Sequence, residues 1–173
     1  MSLIIGKDVP WNAMWSGEDK NEIRPCKYAT NELTIWSPFA PGHGKPIFAK
    51  PHHVRQRKSI RELRCTVCGQ RTTSSDRWFF PLGSKVDGWW ATTEAPVHFR
   101  CAEHAQNVCP HLRLLGYDPI PFPGGATVLS AIVGGEKTER DFGVKIRGRR
   151  VVGHLKLAWR VPWFLPDFPK ARP

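Results

Sequence analysis

The chain has 173 residues, of which 40% are hydrophobic and 24% charged, and a formal net charge of +11. No apolar run reaches the roughly 18 residues of a membrane span and the apolar part of MSLIIGKDVPW is too short for a signal peptide, so a cytoplasmic location is expected. Thiols stay reduced there, and an odd count of five cysteines argues for metal ligands rather than a disulfide framework.

Residues 1–50 read as an irregular arm. Trp11, Trp15 and Trp36 are scattered among Pro10, Pro25, Pro38, Pro41, Pro46 and the Gly-His-Gly at 42–44, too many prolines for a long helix. Order in such a segment depends on its tryptophans docking on a core. Ser16, Glu18 and Asp19 permit one helical turn, and Cys26 is a lone thiol with no base beside it in sequence. From Lys45 the chain turns basic. Arg55, Arg57, Lys58, Arg61 and Arg64 are expected on or beside a short helix or strand leading to the first cysteine pair, either as a solvated face or, with His52 and His53, as a donor-rich approach to a metal.

Cys65-Thr-Val-Cys68-Gly has the form of a zinc knuckle, two thiolates on a tight turn with glycine where the backbone takes a positive φ. After 32 intervening residues comes Cys101-Ala-Glu-His104, in a stretch that reads as a helix from Cys101 to Val108. Positions i and i+3 share a helix face, so the expected ligand set is Cys65, Cys68, Cys101 and His104 around one structural Zn2+. Cys109, His111 and His98 are alternates for the fourth position, His98 being read first as a satisfied polar group. Between the ligand pairs, Trp78-Phe79-Phe80 and Trp89-Trp90 are expected to pair as a hairpin across Pro81, Gly83 and Gly88.

Knuckle, hairpin and a short helix opening with CxxH resemble the treble-clef zinc-finger superfamily over about residues 60–112. That resemblance implies a zinc module and leaves function open among nucleic-acid binding, protein interaction and HNH-type nuclease activity. The HNH signature is incomplete: no histidine follows Asp87-Gly88, His98 stands directly before the helix and Asn107 lies within it.

Beyond the helix, Gly116 to Gly125 reads as a proline-rich connector. Three strands are expected next, a β-branched-rich apolar run at 126–133 suited to a buried strand and two period-two strands at 142–147 and 154–161 with one basic face, forming an antiparallel sheet over 126–161. Trp163, Phe164 and Phe168 of the tail are expected to pack back on the core. The predicted fold is therefore α+β and β-rich: a single domain over 1–173 in which a small zinc module joins an antiparallel sheet, with irregular Pro- and Trp-rich ends.

Charge is not spread evenly. Residues 45–71 and 137–173 each carry +7, while 1–44 and 72–136 carry −1 and −2. Two basic blocks around a near-neutral middle suggest one positive surface for a polyanion, DNA or RNA. The function read from the sequence is a zinc-stabilised, non-catalytic nucleic-acid-binding protein. Its contacts would come from Arg55, Arg57, Lys58, Arg61, Lys145, Arg147, Arg149, Arg150, Lys156 and Arg160, with exposed tryptophans stacking on unpaired bases. The alternatives are an accessory or assembly protein of the phage or bacterial kind, binding a protein partner or forming a homo-oligomer, and a metal-dependent nuclease.

Overall fold

A computed structural model describes residues 3–160. In chain order its elements are β1 (Ala13–Trp15), β2 (Glu22–Pro25), β3 (Leu33–Trp36), β4 (Pro46–Pro51), α1 (His53–Glu62), β5 (Trp78–Phe79), β6 (Ser84–Val86), β7 (Trp89–Thr92), α2 (Phe99–Val108), α3 (Pro110–Leu115), β8 (Ile120–Pro121), β9 (Thr127–Val133), α4 (Gly135–Phe142) and β10 (Val151–Arg160). The fold is α+β and β-rich. No helix among the described residues is long and apolar enough to cross a membrane.

The longest strand, β10, organises the rest. One edge pairs antiparallel with β9; the other meets β3 in parallel at Val152 and β7 antiparallel from Leu157 to Arg160. The main sheet therefore runs β2-β3-β10-β7-β6, with β9 alongside β10. Val151, Val152, Leu155, Leu157 and Trp159 of β10 are buried, because a strand flanked on both edges and covered by α1 presents little of itself to water. Ile60 of α1 packs there with an aromatic group of Phe79, Trp90, Phe122 and Trp159, whose ring centroids lie 5.3 to 5.8 Å apart. Trp78 and Trp89 are half-buried.

Several expectations are corrected. The segment 142–147 is not the middle strand of a meander: α4 ends at Phe142, and β9 pairs directly with β10. Its alternation is real but belongs to an extended loop, in which Val144 and Ile146 are buried while Lys145 and Arg147 face solvent. Nor do Trp78–Phe80 and Trp89–Trp90 pair. The hairpin is β6–β7, turned by Asp87 (φ 48°) and Gly88 (φ 77°), two left-handed residues as a tight two-residue hairpin requires; Trp78 and Phe79 pair instead with Pro121 and Ile120. The N-terminal arm supplies four strands, β1 to β4, rather than loop alone. Val161, Trp163, Phe164 and Phe168 lie outside the described residues.

Helix α1 is held to the sheet by buried polar groups. Arg57 is fully buried and donates to the carbonyls of Ile35 (2.7 Å) and Gly153 (3.0 Å), bridging β3 and β10 beside their single paired position. Gln56 donates to the Leu155 carbonyl and accepts from the Leu155 amide. Arg55 makes two bonds to the Glu18 carboxylate (2.8 and 2.6 Å), and both residues are buried. These three side chains complete bonds that backbone alone would leave open, which is why a charged run can form a core helix.

Candidate metal centre and basic surface

The sequence around Cys65 forms a tight turn closed by Gly69 N–H to the Cys65 carbonyl and Cys65 N–H to the Gln70 carbonyl. Gly69 takes φ +78°, and a Cβ there would lie 2.6 Å from the Trp11 indole, so glycine is required by both backbone and packing. Trp11 and Asn12 also donate backbone bonds to Val67 and Thr66, laying the N-terminal arm along the knuckle.

The other pair of candidate ligands comes from the start of α2. Phe99 N–H is capped by Asp76 Oδ1 at 2.8 Å, so a remote carboxylate does the work an N-cap side chain would ordinarily do. His98, at the N-cap position, is thereby free to turn inward. Its Nδ1 lies 3.4 Å from Cys68 Sγ and 3.9 Å from Cys101 Sγ, and the ligand atoms of Cys65, Cys68, His98 and Cys101 all fall within 4.8 Å of one another. Metal–ligand lengths of about 2.3 Å to sulfur and 2.0 to 2.1 Å to nitrogen put the edges of a tetrahedron at roughly 3.5 to 3.8 Å, so the spacing suits a single ion. The tautomer suits it too. His98 Nε2 stands 3.2 Å from the Arg71 carbonyl, which can only accept, so the proton sits on Nε2 and the Nδ1 lone pair faces the sulfurs.

Cys65 is fully buried and the group sits against Val67, Phe80, Val97 and Ala102. Burial pushes the Cys65 thiol up, and burial, then the neighbouring Cys65 and Cys68, push the Cys101 thiol up. Three crowded thiols in apolar surroundings ionise only with a cation between them, and a bound divalent metal supplies that charge. Four protein donors fill a tetrahedral shell and leave no position for water, the arrangement of a structural rather than a hydrolytic site.

The residues predicted alongside fall elsewhere. His104 does not join the group: one turn further along α2, its Nε2 is 2.7 Å from the Lys7 carbonyl and ties the N-terminal arm to the helix. Spacing of three residues relates Cys101 equally to His104 and to His98, and the chain uses the N-terminal partner because the helix start, not its middle, faces the knuckle. Cys109 is the corner between α2 and α3, with Pro110 opening α3, and His111 is exposed on α3. Cys26 is buried in the main core.

The basic residues divide as sharply. Arg55 and Arg57, expected on a surface, are 1% and 0% exposed and spend their guanidinium groups on Glu18 and on backbone carbonyls. Their neighbours on α1 point outward: Lys58 sits 5.8 Å from the Tyr28 ring, and Arg61 donates to the Tyr28 carbonyl at 3.0 Å. Lys27, unremarked in the sequence, is 5.2 Å from the same ring. Lys145, Arg147, Arg149 and Arg150 are exposed on the loop between α4 and β10. Glu139 fixes the loop's shape, its Oε1 accepting from the amides of Ile146 and Arg147, and those bonds, then the nearby Arg147 and Lys145 charges, hold its carboxyl below the usual range. Arg150 reaches Glu32 at 3.4 Å, on the same 26–32 turn that carries Lys27 and Tyr28, so Lys58 and Arg61 of α1 and Arg150 of the loop meet at one turn. On β10, Lys156 is half-buried and Arg160 is exposed over Trp89.

No protein-family model matches the chain, and comparison with curated proteins and with solved structures gives no match either.

Proposed function

We propose that this is a non-catalytic nucleic-acid-binding protein whose middle is organised by one structural Zn2+ held by Cys65, Cys68, His98 and Cys101. The observation that carries the reading is the Cys3His group itself, with donor types, spacing and tautomer suited to zinc and all four positions supplied by the chain. Knuckle ligands followed by ligands at a helix start agree with a treble-clef-like element, although its intervening hairpin is built into the main sheet. Zinc would fasten the knuckle to the start of α2, two pieces along which the N-terminal arm is already laid by its own hydrogen bonds.

For the partner, support comes from Lys27, Arg61, Arg150 and half-buried Lys58 at the 26–32 turn and from Lys145, Arg147 and Arg149 exposed on the loop before β10, in a chain of net charge +11. Phosphate is the ligand such a surface fits, through contacts that position a backbone without reading bases. The test is binding of zinc-loaded protein to labelled single-stranded and duplex oligonucleotides across a salt series. Arg147→Ala with Arg149→Ala should flatten the log–log slope by about 1.4 on a single strand or about 1.8 on duplex. Absence of binding at low salt, or a slope untouched by the double variant, overturns the nucleic-acid reading and leaves the zinc site standing.

A further inference from the structure

The main sheet ends in three outer strands, and they are not finished alike. Outer strand β2 carries Glu22 and Arg24 and closes with Pro25; β6 is three residues long and carries Lys85. Charge, proline and shortness are the devices by which soluble proteins keep a sheet edge from recruiting another strand. β9 has none of them. It is seven residues, Thr-Val-Leu-Ser-Ala-Ile-Val, inside a stretch from 119 to 135 that contains no charged side chain, and its register shift against β10 falls on the β10 side at Val152/His154. Among the described residues, β9 pairs only with β10, and no other backbone group bonds its outer edge. Leu129 and Ile132 are 42% and 45% exposed.

We propose that β9 is a self-association edge, on which two copies of this chain pair β9 to β9, antiparallel about a two-fold axis at Ser130. The choice of occupant follows from charge and from pattern. Two chains of +11 repel over most of their surface, and this neutral stretch is where they can approach without setting like charges opposite each other. Centred on Ser130, the pairing places Thr127 opposite Val133, Val128 opposite Ile132, Leu129 opposite Ala131 and Ser130 opposite itself. Each is an uncharged match, and the β-branched pairs are the kind that favour sheet contacts. Gly124, Gly125, Gly134 and Gly135 flank the strand, so no side chain obstructs the ends of the ladder. A two-fold contact of this kind is isologous and closes at the dimer rather than growing into a fibre. One ladder buries little area, so the dimer is a reversible one.

The geometry makes a site-specific test. At the axis the two Ser130 Cα atoms would stand about 4.5 to 5.5 Å apart, within disulfide reach, whereas the two Thr127 Cα atoms would be separated by roughly 20 Å along the ladder. Zinc-loaded Ser130→Cys should oxidise to a covalent dimer at least tenfold faster than Thr127→Cys or the parent chain. Sedimentation equilibrium of the parent chain should show a concentration-dependent dimer that Leu129→Lys with Ile132→Lys, both at exposed positions, converts to monomer without lowering the melting temperature. Equal crosslinking rates for the two cysteine variants overturn the proposal, as does a dimer indifferent to the lysine pair. A chain that stays monomeric overturns it as well, whether the edge amides exchange freely or are protected by another segment.

Discussion

Replacing His98 and His104 separately by alanine distinguishes the site the fold assembles from the one that helix spacing suggests. Structural zinc contributes about 10 to 16 kcal/mol in small zinc-folded peptides, which averages to about 2.5 to 4 kcal/mol per ligand. His98→Ala removes the Nδ1 that sits 3.4 Å from Cys68 Sγ, so zinc affinity should fall by about two to three orders of magnitude. His104→Ala removes only the bond to the Lys7 carbonyl, on a half-exposed side chain. It should cost about 0.5 to 1.5 kcal/mol of stability and leave metal affinity within a few-fold of the parent. Competition with a chromophoric chelator gives both affinities, and the cobalt-substituted protein reports the sulfur and nitrogen donor set directly. The reasoning is refuted if His104→Ala releases the metal while His98→Ala keeps it, or if elemental analysis of the folded parent finds no zinc.

Other consequences follow from the buried charges and the knuckle. Glu18→Gln leaves the Arg55 guanidinium buried without its carboxylate and should destabilise by about 3 to 5 kcal/mol in chemical denaturation, whereas the paired change Glu18→Gln with Arg55→Met should recover part of that loss. Burial, then Arg55, push His52 down to about 4, and burial, then Arg57, push His53 to about 3. Both stay neutral in the fold while the unfolded chain takes up protons below about 6.5, so their contribution is complete above that pH and is lost as pH falls toward 4. The slope should approach about 1.4 kcal/mol per pH unit for each histidine, and His52→Gln should flatten a plot of unfolding free energy against pH by one histidine's share. Gly69→Ala combines a left-handed φ with a Cβ inside the Trp11 ring; a lower melting temperature and altered tryptophan fluorescence are expected, and an unchanged spectrum would mean that Trp11 does not rest on the knuckle.

The sequence by itself determined the chemistry: three thiols and a histidine in two short-spaced pairs, an α+β fold with β9 and β10 legible from their β-branched and alternating runs, and two basic blocks. Local spacing is a property of the backbone, so it survives any tertiary arrangement. It could not choose between His98 and His104, because three residues along a helix reach the same face in either direction; the choice needed Asp76, 23 residues away, to cap α2 and release His98. Nor could composition separate Arg55 and Arg57 from Lys58 and Arg61. All four are basic residues of one helix, and only the placement of Glu18, Ile35 and Gly153, 22 to 96 residues distant, makes two of them core and two of them surface. The alternation at 144–147 told correctly which side chains turn inward, yet a strand also needs a neighbour with free amides and carbonyls. β9 had already taken the open edge of β10, so those residues remained a loop that holds its cations in water.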